Sequence, residues 1–211
     1  MLNCAQVFAI KKASAMKKVS ILILAALALA AQTATDGPQY NADGTLQLPK
    51  NYREWVYLSS GLGMTYGPAA SADTRNPAFD NVFVNPSSYR AFVQTGHWPD
   101  KTMFVLEVRN ATEHGSINNG GHFQSDVRAI EAEVKDEKRF PQKWAFFGFG
   151  KKDAGAPNPA TSSCNQCHGA NAAVENTFVQ FYPTLLEIAK EKGTLNAAYL
   201  QKSIEATPVA H

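Results

Sequence analysis

Two thiols and an imidazole fall within five consecutive residues, Cys164-Asn165-Gln166-Cys167-His168. Positions i, i+3 and i+4 share one face of a helix, so in that conformation both sulfurs and the ring point the same way. Joining two thiols to the two vinyl groups of a haem while an imidazole meets its iron needs this arrangement, and C-x-x-C-H is the attachment pattern of c-type haem. The spacing therefore predicts one covalently attached haem c, held through Cys164 and Cys167, with His168 as the metal ligand on iron. Three other uses of the cysteines compete. A thioredoxin-type dithiol normally opens the helix after a strand in a βαβ unit, whereas a Pro/Gly loop precedes this motif and the last third of the chain is poor in strands. Zinc would need further ligands, and His97, His114, His122 and His211 show no paired spacing. A local disulfide is the third.

What occupies the other side of the iron decides what a haem does: a Met or second His makes an electron carrier, and an open apolar side admits a small ligand. Met64, in a Gly-rich loop, and Met103, in a strand, are the methionine candidates, each with an ordinary packing role as its alternative. His97 and His122 lie beside turns and read equally as surface residues.

Covalent attachment takes place outside the cytoplasm, and the N-terminus predicts export. Lys17 and Lys18 precede an uncharged apolar run, Val19 to Ala31, too short to span a bilayer comfortably, with Ala28 and Ala30 forming an A-x-A cleavage site. Residues 1–30 are therefore expected to be a signal peptide, its true start at Met1 or Met16, leaving a periplasmic or otherwise exported chain with no membrane segment. Four of the twenty Lys and Arg residues lie in this leader, which has no acidic residue, so the remainder carries sixteen against eighteen, a net charge of −2. A mildly acidic domain without a Lys/Arg stripe has no electrostatic footprint for nucleic acid. Cys4 leaves with the leader, and two cysteines three positions apart cannot staple a fold, so their role is local chemistry.

The elements that must position the motif read as α+β: a mainly antiparallel β-sheet with packed helices, the haem motif on a C-terminal helix. Residues 31–48 read as an extended arm and 49–211 as one domain. A short helical start is expected at Tyr52–Leu58, then loop from Ser59 to Pro77, a short strand at Val82–Val84, and a helix over Ser87–Thr95 opened by Pro86 and stopped by Gly96. Thr102–Arg109 and Phe123–Val134 read as a long hairpin. In the first of these, parity puts Thr102, Phe104, Leu106 and Val108 on the buried face and Met103, Val105, Glu107 and Arg109 on a half-buried one. Trp144–Phe149 reads as a further strand, Lys151–Ser163 as loop, and Thr161, Ser162 or Ser163 as cap of the haem helix. Phe178–Tyr182 reads as strand or turn, and Pro183 opens another helix.

The wider pattern resembles the cytochrome P460 family, which includes the β-sheet cytochromes c′ (cytochrome c′-beta). The resemblance rests on Pro49-Lys50-Asn51-Tyr52-Arg53-Glu54-Trp55-Val56, Val82-Phe83-Val84-Asn85-Pro86 with Ser88-Tyr89, Glu131-Ala132-Glu133-Val134-Lys135-Asp136, Arg139-Phe140, Trp144-Ala145-Phe146-Phe147, the haem motif and Phe178-Val179-Gln180-Phe181-Tyr182-Pro183-Thr184-Leu185. It implies a homodimer, a five-coordinate haem with His168 proximal, an apolar distal pocket, and nitric oxide as ligand or hydroxylamine as substrate. Members that oxidise hydroxylamine carry a haem-linked lysine in a strand resembling T-V-x-V-K-E-L. Here Thr102-Met103-Phe104-Val105-Leu106-Glu107-Val108 places Leu106 at that position. Lys101, five residues earlier, points to the other strand face unless a bulge intervenes. The chain thus resembles the gas-binding members more than the hydroxylamine oxidisers. Phe79, Phe104 and Leu106 are the distal-wall candidates. Glu131 is the one catalytic candidate, a proton relay if it enters the pocket and a structural ion-pair partner otherwise. Gln166, between the cysteines, either reaches a group near the haem or faces solvent.

Overall fold

The long hairpin dominates the architecture because the apolar run Met103–Leu106 and its continuation to Val108 lie against Ile130, Ala132 and Val134 of the partner strand. In the computed structural model, which describes residues 36–66 and 77–205, β1 is Leu46–Gln47, β2 Val56–Leu62, β3 Ala78–Val84, β4 Met103–Thr112, β5 Phe123–Lys135, β6 Trp144–Gly148 and β7 Ala154–Gly155. The α-helices among the described residues are α1 Pro86–Thr95, α2 Ser163–Asn171, α3 Pro183–Lys192 and α4 Ala197–Glu205. Strands β2 to β6 form one antiparallel sheet in sequence order, and β1 pairs with β7 in a second, two-stranded one. The class is the expected α+β. Gly37–His211 forms a compact unit; the expected signal peptide, residues 1–30, lies outside the described residues.

Both faces of the five-stranded sheet are covered, which corrects the parity reading of β4. Met103, Val105 and Glu107 are the more deeply buried set, packed with Leu46, Tyr52, Trp55, Phe140, Phe147 and Phe149. The segment expected as a loose arm supplies Leu46 to this cluster, fully buried. On the other face Phe104 packs with Phe92, Trp98, Trp144, Tyr182 and Leu185, while Leu106 and Val108 stay half-buried. Hydrophobicity alone ranked the two faces wrongly because a strand between two covering layers has no solvent face to contrast with.

The sequence also underestimated the first strands. Tyr52–Glu54 is one 3₁₀ turn, and the chain then enters β2, whose Ser59-Ser60-Gly61 lacks strand propensity and is held by pairing with β3. The predicted strand at Val82–Val84 runs from Ala78. The rest of the expected loop, residues 67–76, lies outside the described residues. Val179–Phe181 is a 3₁₀ turn, the second of the two alternatives for that stretch. Helix α1 begins as read, with Asn85 ahead of Pro86, and ends at Gly96 in the left-handed region, φ 74°. A Cβ there would also lie 2.8 Å from Lys192 Cβ, so no side chain fits at the point where α1 meets the end of α3.

Candidate haem site

Cys164, Cys167 and His168 lie on α2, which starts after the extended-backbone residue Ser162. All three are half-buried, and the thiols are free rather than joined in a disulfide. Gln166 is exposed and bonds back to the Thr161 carbonyl, so it faces away from them. Among the described residues no group of three His, Cys, Asp or Glu is placed to hold a metal ion by itself.

The end of α2 is tied down by side chains from three other segments. Lys202 of α4 donates to the Ala170 carbonyl at 2.9 Å, Gln180 to that of Asn171 at 2.9 Å, and Asn196 to that of Ala172 at 2.9 Å. These satisfy carbonyls that a helix end otherwise leaves unpaired, and the positive Lys202 suits the negative end of the helix dipole. Such anchoring fixes where the His168 ring stands.

Two aromatic rings and two acceptors at Nδ1 hold the His168 ring. Phe146 of β6 meets it edge-on, 4.5 Å between centroids, and Phe178 lies at 4.1 Å. His168 Nδ1 lies 2.8 Å from the carbonyl oxygen of Asn176 and 3.4 Å from Oε2 of Glu133. An Nδ1–H donated to these acceptors fixes the tautomer that leaves the Nε2 lone pair free for a metal, the usual condition of a ligating histidine. Burial lowers the proton affinity of His168, but the Glu133 charge and hydrogen bond and the Asn176 carbonyl outweigh it and raise its pKa. Glu133 is pushed above the ordinary carboxylate range by burial, against the opposing pull of His168 and the Asn176 amide. Two free thiols, a pre-oriented imidazole and a buried carboxylate behind it fit a c-type haem, which would be held by Cys164, Cys167 and His168.

The loop carrying Asn176 is gripped by β5. Asn176 Nδ2 donates to Glu133 Oε1 at 3.3 Å, and Lys135, two residues along on the same face, holds Glu175 at 2.7 Å and donates to the Trp98 carbonyl at 2.7 Å. Glu175 adopts φ 50° and also accepts from the Trp98 amide. Trp98 Nε1 donates to Thr177 Oγ1 at 2.8 Å.

The sheet register sorts the remaining candidates. Leu106 lies opposite Val82 and Glu131, on the same face of the sheet as Glu133 and Phe146. Phe104 shares that face but is buried beneath Trp98, Trp144 and Tyr182. Phe79 pairs with Arg109, which puts it on the other face, away from Leu106. Glu131 is exposed, and the carboxylate that touches His168 is Glu133. Alternation identified the face, yet only the landing point of α2 and its loop selects the residue along it. Lys101 is held at the turn before β4 by an ion pair to Asp136. Met103 is fully buried on the face opposite His168. Met64 packs over Gly61, where a Cβ would lie 2.1 Å from its Sδ; Gly61 pairs with Asp80 and so belongs to the face that carries Leu106. His97 is exposed and pairs with Glu175 at 3.5 Å, and His122 is likewise exposed.

Among known proteins, the family model Cytochrome P460 matches residues 49–179, an interval that contains β2 to β6, the cysteine motif and the loop behind His168. No individual curated protein matches the chain.

Proposed function

Since the chain belongs to the cytochrome P460 family of haem proteins, we propose that it is an exported, homodimeric monohaem cytochrome that binds a small uncharged ligand such as nitric oxide. The observation that carries this reading is Leu106. The strand position that the resemblance matches to the haem-linked lysine of hydroxylamine-oxidising members is Leu106, an aliphatic side chain half-buried between Val82 and Glu131 on the face that also carries Glu133 and Phe146. Lys101 offers no replacement, because it is engaged with Asp136 at the start of the strand.

The haem, when bound, supplies an iron that can ligate a diatomic molecule. The chain's own work is to hold and select. Cys164 and Cys167 tether the group, His168 presents Nε2 with its ring fixed by Phe146, Phe178 and the Asn176 carbonyl, and Val82, Leu106 and Val108 offer apolar side chains on the face where Asp80 and Glu131 pair with them.

Titration of the purified ferrous protein with nitric oxide tests this. A five-coordinate high-spin spectrum that converts to a nitrosyl form is expected; a six-coordinate low-spin spectrum indifferent to nitric oxide would overturn it. Mass spectrometry of the haem peptide should find thioether links to Cys164 and Cys167 alone, and an added lysine link would instead favour hydroxylamine oxidation. One observation favours a second reading, an electron carrier: Met64 packs on the face that carries Leu106. Met64→Leu leaves the spectrum unchanged if the first reading holds and abolishes a low-spin spectrum if Met64 is the sixth ligand.

A further inference from the structure

We propose that Glu133 is a positioning residue for the iron, acting through His168: its buried carboxylate sits behind the proximal imidazole and holds the haem toward the ferric state. The inference rests on haem attachment at Cys164, Cys167 and His168, but not on which ligand the haem takes.

Glu133 is 8% exposed and its Oε2 stands 3.4 Å from His168 Nδ1. Its other oxygen accepts from the Asn176 amide at 3.3 Å. Among the described residues no lysine or arginine forms an ion pair with it; Lys135, on the same strand face, is committed to Glu175 and the Trp98 carbonyl. Glu175 and the Tyr182 phenol also bear on it electrostatically, and neither brings positive charge. A buried carboxylate without a cation is costly. The cost falls if the imidazole beside it donates its proton while its other nitrogen bears a cationic metal, because the positive charge then lies across one ring.

Nδ1 has two acceptors with different tasks. The Asn176 carbonyl at 2.8 Å fixes ring rotation and tautomer, as a neutral acceptor can. The carboxylate adds charge: a negative group on the Nδ1 side makes Nε2 a stronger donor, and hydrogen bonding behind an axial ligand is one of the levers by which a protein sets haem potential. Reduction of the iron adds one electron and removes one positive charge from the ring's far side, so the Glu133 charge opposes it. The isosteric Glu133→Gln keeps an oxygen for Asn176 and removes the charge.

The test is a redox titration of the haem-loaded protein, read beside the iron–histidine stretching vibration of its ferrous form. Glu133→Gln should shift the ferric/ferrous equilibrium at least tenfold toward ferrous, an upward change of about 59 mV for one electron, and should lower the vibration frequency. Glu133→Asp, which keeps the charge, should stay within tenfold of the parent. Glu131→Gln, which removes the exposed charge two residues away on the same face, should move the potential less than Glu133→Gln does. An unchanged potential and vibration in Glu133→Gln overturns the proposal and leaves Asn176 as the sole partner of His168. If Glu133→Gln takes up no haem, Glu133→Ala and Glu133→Asp decide: potentials equal to each other overturn it, and a higher potential in Glu133→Ala supports it. A protein that fails to bind nitric oxide yet shows these shifts would refute the proposed function and retain this inference.

Discussion

The hairpin of β4 and β5 buries two carboxylates on opposite faces of the sheet, and they are treated in opposite ways. Glu107 receives the Tyr52 hydroxyl and the guanidinium groups of Arg53 and Arg109. Burial alone would raise its pKa, but Arg109, Tyr52 and Arg53 together hold it below the usual range. Among the described residues Glu133 receives only an amide and the His168 ring, and burial carries its pKa upward. One charge is compensated by the polypeptide; the other faces a histidine whose second nitrogen is left for a metal. Buried charges that a fold neutralises belong to its stability, and one left short of a cation marks where chemistry is to be placed.

Breaking the first carboxylate should therefore damage the fold, and breaking the second should not. Glu107→Ala strands Arg109 and the Tyr52 hydroxyl on a covered face and should cost about 3–5 kcal/mol, seen as a lowered denaturant midpoint at neutral pH. Glu133→Gln should lie within about 1 kcal/mol of the parent, since an amide replaces a carboxylate with which no lysine or arginine among the described residues pairs. Equal losses would abolish the distinction. Because Glu107 is held below its unfolded value, its ionised form contributes stability above that value, roughly pH 4.3, and the contribution is lost as pH falls through the folded one. The stability gap between the parent and Glu107→Gln should thus be full at pH 7 and narrow progressively below about pH 4.3; a gap that widens on acidification would contradict the assignment.

Neither carboxylate was legible in the sequence as a buried group, and the reason lies in the range of the forces involved. The β4–β5 hairpin, β6, α1 and the helix opened by Pro183 rest on local signals, alternation and Pro or Gly at the ends, and all are present. The motif Cys164–His168 predicted its own helix for the same reason. Strand β2 was not legible, because Ser59-Ser60-Gly61 is extended only through its partner β3. Helix α4 went unanticipated, although Lys202 on it caps the haem helix. Glu131 and Glu133 are indistinguishable by parity, and choosing between them needs the position of α2 and its loop over the sheet. The face of Phe79 was hidden for a related reason: nearness in sequence to Val82 does not place it relative to Leu106 until the pairing with Arg109 is known.

Lys135 sharpens the comparison within the haem-side face itself, since it is a buried cation two residues from a carboxylate it does not neutralise. Its bonds to Glu175 and the Trp98 carbonyl fix the loop that carries Asn176. Lys135→Met keeps the aliphatic stem against Trp144 and removes those bonds, which should cost about 2 kcal/mol. If the loop rather than the charge orients His168, this variant should also broaden the iron–histidine vibration without moving its mean as far as Glu133→Gln does.

A lesser effect comes from one buried hydroxyl in the same loop, Thr177 Oγ1, which accepts from the Trp98 indole and donates to the Val174 carbonyl at 2.9 Å. Trp98 fills the space between Phe92 and Phe104 with ring centroids 4.1 and 4.8 Å away, while its Nε1 donates to the buried Thr177 hydroxyl. Thr177→Val replaces that hydroxyl by a methyl of similar size and leaves the indole N–H unpaired, whereas Trp98→Phe removes the donor together with part of the ring. Thr177→Val should cost about 1–2 kcal/mol through the orphaned donor, measured by urea denaturation. The Thr177→Val, Trp98→Phe double variant should lose less than the sum of the singles, because the second change removes the group the first left unpaired. Strict additivity would mean that the indole N–H finds water instead, and that the loop behind His168 is more open to solvent than its packing indicates.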